Sequence, residues 1–562
     1  MSQLIECVPN FSEGRDMGII KRITDAIETV DGVTLLDVDP GAATNRTVVT
    51  FVGPPNAVLD AAVIAGKTSA ELIDMSKHTG EHPRFGAMDV CPLVPIAGIS
   101  MAETVEYART LAKRLGEEAG LSIYCYENAA LKPERQNLAN VRAGEYEAVK
   151  DRVSTKEWAP DFGPAEFQPR TGATAVSARD FLVAYNINLN TTSSRRANAI
   201  AFDVREKGRI LRKPDPVTGK IVKDENGKTV WNPGSLQCVK GIGWFIEEFG
   251  ICQVSMNLTN ISVTPTHIAF DEVLMKAQAR GIRVTGSELV GLIPLQAMLD
   301  AGRHYLRKQS RSTGVSDAEL IKIAVKSMGL DELYPFKPEE KIIEYVLAAA
   351  DHKKRLVDFS IVGFCEETAS ESPAPGGGSV AATLGALGAA LGTMVANLSS
   401  HKQGWDTRWE EFSDWAEKGK ANMIELIALV DKDTDAFNAI MASWRLPAGS
   451  KEEKAAKQEA VQAAVLLAIA VPFRIMEVSL ASMEVADSMA ENGLSASASD
   501  AGVAALCARA AVRGAYLNVR INASDLEDAA IRQDFLDRGA QLVADSEAQE
   551  AQILSKVEAH FS

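Results

Sequence analysis

The feature that most restricts the fold of this chain is a change of hydrophobic period near residue 356. Before it, apolar residues follow two spacings in turn. Val48, Thr50 and Val52 alternate with Val49 and Phe51 at the two-residue period of a strand, whereas Leu59 to Met75 repeats at helical spacing. After it the strand period vanishes. Val380 to Leu398, Trp409 to Met441, Lys454 to Met489, Ala501 to Val519 and Asp525 to Ala559 are long Ala-rich helical runs. The pattern predicts an α+β N-terminal half followed by an all-α helical-bundle domain, with Pro472 kinking the third long helix. At 562 residues the chain exceeds what one core supports.

Within the first half the element order repeats. Leu4 to Phe11 reads as strand, Met17 to Val30 as helix, Val33 to Val38 and Arg46 to Val52 as strands. A helix before His78, a strand Val90 to Pro95, a helix Ala102 to Glu118 and a strand Leu121 to Tyr126 follow. After a Pro/Gly-rich connector, Trp158 to Thr174, the same β-α-β-β-α-β order returns between Phe181 and Ile293. That order suits a ferredoxin-like sheet with helices on one face, so two tandem ferredoxin-like subdomains are expected. The divisions expected are 1–180, 181–332, a linker at 333–356 and a helical domain at 357–562. A polar insertion, Lys213 to Pro233, carries Glu225-Asn226-Gly227 and reads as a surface hairpin.

The net charge of −16, with no long basic run, argues against nucleic acid and anionic membrane as partners. Seven scattered cysteines read as reduced core residues, and the first residues lack the basic and then apolar pattern of a secretory signal, so a cytoplasmic protein is expected. Ser372 to Ser400 contains no charge and is long enough to span a bilayer, but its apolar content is mostly Ala and Gly. A tightly packed helix with close approach at Gly388 and Gly392 is the better reading, so no membrane span is expected.

Chemistry concentrates in Asp74 to Pro95, a charged loop held between a helix and a strand. His78-Thr79-Gly80-Glu81-His82 matches the H-x-x-E-H pattern of a zinc site, yet Gly80 and Pro83 oppose the continuous helix such a site requires. A helix cap and a proton shuttle are the other readings. Asn10 ends the first strand, Asp37 and Asp39 share a face at the end of the second, and Asn45-Arg46 opens the third. One sheet edge thus gathers Asn10, Asp39, His82 and Arg84. Histidine suits taking and returning a proton near neutrality, and arginine binds carboxylates through two parallel hydrogen bonds. No serine or cysteine sits in a nucleophile-elbow motif, so direct transfer between two bound substrates is expected.

The motifs CVPNFSEG, LLDVDPGAATNRTVVTFVGPP, IDMSKHTGEHPRFGAMDVCPLVP, AGEYE, WAPDFGP, GIGW and GSELVGLIPL resemble those of the glutamate formiminotransferases. The helical half resembles the formiminotetrahydrofolate cyclodeaminases through APGGGS (Ala374 to Ser379), LVDKDTDAF (Leu429 to Phe437), Ser499-Asp500 and GAYLNVRIN (Gly514 to Asn522). Together they look like the bifunctional formiminotransferase-cyclodeaminase family. The resemblance implies His82 as the base of formimino transfer from N-formimino-L-glutamate to tetrahydrofolate, with Asn10, Asp39 and Arg84 orienting substrates. It places the folate-binding stretch on Gly163, Pro164, Ala165, Glu166, Phe167, Gln168, Pro169, Arg170, Thr171 and Gly172. It makes Asp433, the middle aspartate of its run, the proton donor that releases ammonia as 5,10-methenyltetrahydrofolate forms. Asp431 and Asp435 flank it, and their charges are expected to raise its pKa. Tetrahydrofolate is then a co-substrate, and a polyglutamylated tail held at one site would raise its effective concentration at the other. No metal is implied, and a homo-oligomer built from dimers is expected.

Overall fold

In the computed structural model, residues 3–41, 45–80, 84–216, 218–247, 249–350 and 355–561 are described. Two compact units form, one of Met1–Ala297 with Met328–Asp351, the other of Met298–Ser327 with His352–Ser562. The first is α/β and the second is helical.

The first sheet is built from β1 (Leu4–Cys7), β2 (Asn10–Phe11), β3 (Thr34–Gly41), β4 (Arg46–Gly53), β5 (Met88–Ala97), β6 (Ser122–Glu127) and β7 (Ala173–Ala178). β1 and β2 are one strand interrupted at Val8-Pro9, both pairing with β4 on one side and β5 on the other. Across the sheet the order is β3, β4, β1 with β2, β5, β7, β6, antiparallel up to β5 and parallel beyond it. Helices α1 (Met17–Glu28), α2 (Pro55–Leu72) and α3 (Met101–Glu118) bury one face of this sheet around Ile5, Cys7, Phe51, Cys91 and Leu93. α1 shows why the local sequence suffices: Asp16 caps its first N–H groups, and Ile20, Ile23, Thr24 and Ile27 form the buried stripe. The opposite face over β5, β7 and β6 is closed by the short helices Leu138–Val141 and Glu145–Arg152, with Phe85, Tyr124, Tyr126, Val141 and Val149 between.

β7 falls where the sequence pattern reads connector. Its six residues, Ala-Thr-Ala-Val-Ser-Ala, are all buried, and small side chains give neither alternation nor strong strand propensity. The second sheet orders Val239–Ile246, Ile251–Leu258, Val183–Leu189 and Val284–Val290, all antiparallel, so the connection order of β3, β4, β1 and β5 occurs twice. The insertion does make a hairpin. Asp224 accepts from Asn226 N and Lys228 N at 2.9 and 2.8 Å, and Gly227 takes a positive φ of 75°.

Residues 298–327, placed by the sequence pattern in the second subdomain, group by their contacts with the helical unit. Ser312 Oγ donates to Asn397 at 2.6 Å, Thr313 N donates to Ser413 at 3.0 Å, and Asp317 pairs with Lys420 at 2.7 Å. The long helices there are Gly377–Ser400, Trp409–Trp444, Lys451–Asn492, Ala498–Ala523 and Ala529–Ala559. The helix Lys451–Asn492 runs unbroken through Pro472. Gly377–Ser400 and Lys451–Asn492 are each long and apolar enough to cross a membrane, and 61% of the most apolar window of each is buried in the fold. Small residues set the helix spacing: a Cβ on Gly388 would lie 2.8 Å from the Ala504 carbonyl oxygen, and one on Gly392 3.3 Å from Val485.

Gly388→Ala is therefore expected to destabilise the helical unit by about 1–3 kcal/mol through overpacking against backbone. Gly502→Ala, whose added methyl meets Val557 at an ordinary 3.5 Å, is expected to be neutral or stabilising. Thermal unfolding followed by circular dichroism separates the two; equal midpoints would contradict the close-packing account.

Candidate functional sites

The first site grows from the break at Val8-Pro9. Pro9 has no N–H to give, but its carbonyl accepts from Val49 N at 3.0 Å, and a bulge follows between Asn10 and Phe11. Asn10 lies opposite Val48, and so does Asp39 on the other side, so Asp39, Val48 and Asn10 stand abreast across three strands. Neighbouring strands are ~4.8 Å apart, which separates Asn10 from Asp39 by about 10 Å. Asp39 is exposed. Asn10 Nδ2 donates to Val8 O at 2.9 Å, and its Oδ1 accepts from Arg46 Nε at 3.0 Å. Arg46 and Arg142 both pair with Asp89, which is fully buried.

Asn45 anchors the catalytic-loop candidate. Held at φ 49°, it accepts from Gly14 N at 3.0 Å and donates to Thr79 O at 2.9 Å. Its carbonyl lies 2.8 Å from His78 Nε2. A carbonyl only accepts, so Nε2 of His78 carries the proton; Nδ1 is buried with no hydrogen-bond partner among the described residues. Burial, the largest cause, lowers the His78 pKa and keeps the ring neutral. His78 is thus a strut of the loop. Glu81, His82 and Pro83 lie outside the described residues. α2 ends at Leu72, six residues before His78, so the single helix that a zinc H-x-x-E-H site requires is absent at its first histidine. Among the described residues no group of three or more His, Cys, Asp or Glu is arranged to hold a metal ion.

Arg84, expected to meet a substrate carboxylate, is engaged within the chain. It pairs with Glu147, lies 4.0 Å from Glu145 and sits 5.8 Å from the centroid of the Tyr146 ring. Its carbonyl accepts from Tyr146 N at 2.8 Å, which ties the loop exit to the covering helices. The AGEYE motif supplies these partners. The stretch Gly163 to Gly172 runs from Leu121 to the same loop exit. A Cβ on Gly163 would stand 1.9 Å from Leu121 O, and one on Gly172 2.4 Å from Phe85 O, so both positions require glycine. Between them, Tyr146 OH donates to Pro169 O at 2.7 Å, Phe167 packs on Tyr146, and Arg170 Nη2 donates to Glu71 O at 2.9 Å. Ala165 and Glu166 are exposed.

Beside this loop exit is a cavity of about 780 Å³ whose wall includes Glu127, Asn137, Arg142, Glu145 and Lys240. Burial raises the Glu127 pKa, and Glu127 takes a positive φ of 49°. Glu6 on β1 is buried too; loss of solvation pushes its carboxyl up to about 7, against the pull of Arg179. Sequence reasoning passed over Asp89, Arg142 and Glu6 because their burial comes from strands and helices far apart in the chain.

The second site lies at the N-terminus of Gly377–Ser400. Asp433 is half-buried there, with Ser379 Oγ 3.1 Å from its Oδ2. A Cβ on Gly378 would stand 2.1 Å from Asp433 Oδ1. The glycines thus let a carboxylate of this chain approach the helix N-terminus, whose free N–H groups favour an anion. Burial raises the Asp433 pKa, and the hydroxyl and backbone N–H of Ser379 oppose it. The cause is desolvation, not the flanking aspartates; Asp431 Oδ1 is taken up by Leu356 N at 2.7 Å. Ser379 Oγ is also 2.9 Å from Val430 O, and its single proton satisfies that carbonyl when Asp433 itself carries a proton to share. A cavity of about 110 Å³ adjoins Asp433, walled by Gly377, Thr434, Phe437, Asn518 and Asn522. Asn518 Nδ2 donates to Gly514 O and Asn522 Nδ2 to Ala468 O, which leaves amide oxygens as acceptors.

A half-buried carboxyl at a helix N-terminus in the helical unit and a histidine-bearing loop on a mixed sheet are the two places where titratable groups of the motifs gather. Three family models match the chain: the N-terminal subdomain of the formiminotransferase domain over 4–179, the formiminotransferase domain over 184–348, and formiminotransferase-cyclodeaminase over 360–541. The chain is 42% identical over its whole length to a formimidoyltransferase-cyclodeaminase of Mus musculus, of which it covers 99%. A glutamate formimidoyltransferase of Thermoplasma acidophilum is 42% identical over 54% of this chain and 92% of its own length. A methenyltetrahydrofolate cyclohydrolase of Methylorubrum extorquens is 36% identical over 35% of this chain and 95% of its own. The chain belongs to the formiminotransferase-cyclodeaminase family.

Linkage gives the sign of one test. A carboxyl whose pKa is raised by folding contributes stability below its unfolded value and loses it as pH rises through the folded value. Asp433→Asn is expected to unfold at a higher temperature than wild type at pH 8, with the gap closing as the pH falls toward 4. A gap that widens on acidification would contradict burial as the cause.

Proposed function

We propose that the α/β unit transfers the formimino group of N-formimino-L-glutamate to N5 of tetrahydrofolate, and that the helical unit closes 5-formiminotetrahydrofolate to 5,10-methenyltetrahydrofolate with release of ammonia. The observation that carries the reading is Asp433, a carboxyl at a small cavity whose pKa burial raises, in a chain that is alike over its full length to bifunctional relatives.

In the first reaction N5 adds to the amidine carbon and loses a proton to His82. The tetrahedral intermediate collapses as the proton passes to the glutamate nitrogen, which leaves as the amine. Asn10, Asp39 and Arg84 orient the substrates, and Gly163 to Gly172 holds the folate. His78 does not replace His82, because Nδ1, the nitrogen free to take a proton, is buried. In the second reaction N10 attacks the formimino carbon and its proton passes to the formimino nitrogen; Asp433 adds a second proton, and that nitrogen departs as ammonia. Ser379 steadies the carboxyl, and the oxygens of Asn518 and Asn522 accept from pteridine N–H groups. Neither step calls for a metal. Both half-sheets read as ferredoxin-like, the shared order being the support for that reading. A cytoplasmic homo-oligomer of dimers, acting on polyglutamylated folate and spanning no membrane, completes the reading.

His82→Ala is expected to lower formimino transfer by about 10²–10⁴-fold, the usual yield of general acid–base catalysis, while cyclodeaminase activity on supplied 5-formiminotetrahydrofolate persists. Asp433→Ala is expected to do the reverse. The absorbance of methenyltetrahydrofolate, formed from either starting point, reads both. Loss of both activities in either variant, with the fold intact, would sink the assignment of one site to each unit.

A further inference from the structure

The cavity beside the loop exit has a charge pattern that no role given so far uses. Asp89 is fully buried and is shared by two guanidiniums, Arg46 and Arg142, so this cluster keeps one positive charge in excess. Arg46 is turned toward Asn10. Arg142 lines the cavity, and Asp89 is its one side-chain hydrogen-bond partner among the described residues. Lys240, from the first strand of the second sheet, lines the same cavity and makes no side-chain hydrogen bond or ion pair among the described residues. The two acids on the wall do not cancel these cations. Glu145 is drawn to Arg84, and Glu127, at the exposed end of its strand, has its pKa raised by partial desolvation against the pull of Arg179 and Lys240. The walls come from Gln136–Glu145 and from Lys240, and Tyr146, next in sequence to Glu145, bonds to Arg84, two residues from His82.

We propose that this cavity is a glutamyl-carboxylate subsite, with Arg142 and Lys240 as its binding residues and Asp89 as the residue that positions Arg142. The inference rests on the transfer reaction above, both of whose substrates end in glutamate: N-formimino-L-glutamate itself and the glutamyl tail of tetrahydrofolate. An arginine held on one edge by a buried carboxylate presents its remaining N–H groups in a fixed direction, which suits a planar carboxylate.

The test uses Lys240→Gln, an exposed position that leaves the core untouched, and Arg142→Lys in the full chain. Calorimetric binding of N-formimino-L-glutamate and of tetrahydrofolate with one or three glutamates is measured beside steady-state kinetics. Loss of one charged hydrogen bond is expected to weaken one ligand about tenfold or more, and to raise its KM alike. Weakening of N-formimino-L-glutamate assigns the amino-acid donor. Weakening of tetrahydrofolate, larger for the triglutamate, assigns the tail. Asp89→Asn is expected to raise the same KM and to add less than its separate effect when combined with Arg142→Lys; full additivity overturns its positioning role. Binding and KM within twofold of wild type for every ligand in both Lys240→Gln and Arg142→Lys overturn the subsite. Wild-type protein that binds these ligands but never turns them over overturns the transfer reading and leaves the subsite standing.

Discussion

The α/β unit depends on one fully buried negative charge. A carboxylate removed from water is costly unless it is paired and hydrogen-bonded, and Asp89 meets that cost with two arginines from different layers. Arg46 comes from β4, across the interrupted strand β1–β2, and reaches on to Asn10; Arg142 comes from the layer that closes the other face of the sheet. Removing either cation would leave the carboxylate under-compensated in the interior. The break at Val8-Pro9, the placement of Asn10 and the docking of the covering helices are thus coupled through a single side chain on β5.

The helical unit poses the opposite case, a carboxyl whose pKa is raised. Asp433 is withdrawn from water, which favours the neutral acid, while the N-terminus of Gly377–Ser400 pulls toward the charged form. Burial prevails, and Gly378 is what lets the two elements approach closely enough for the opposition to exist. His78 in the other unit is held neutral by the same desolvation acting on a base. Burial thus shifts the pKa of a base down in one unit and of an acid up in the other.

Much of the fold was legible because local physics repeats along the chain. The helices Gly377–Ser400 and Lys451–Asn492, the hairpin at Asp224 to Lys228 and the repeated strand order follow from period, capping and turn chemistry. β7 was not legible, since six small buried residues carry no period, and residues 298–327 joined the helical unit through contacts such as Ser312 with Asn397. Among the site residues, Asn10, Arg84 and Asp433 stood out as polar groups inside motifs, and His82 falls outside the described residues. Arg84 proved to be occupied by Glu145 and Glu147, partners about sixty positions away.

By itself the sequence determined the two-part architecture and the pieces of chain that carry chemistry, because periodicity and motif spacing are properties of neighbouring residues. The tertiary structure alone decided which charges face a cavity and which are spent inside the protein. It put Arg142 and Lys240 at one cavity, paired Arg84 with Glu147, lowered the pKa of His78 and raised that of Asp433. Those outcomes depend on desolvation and on partners brought together from distant segments, and neither is encoded in any local stretch of sequence.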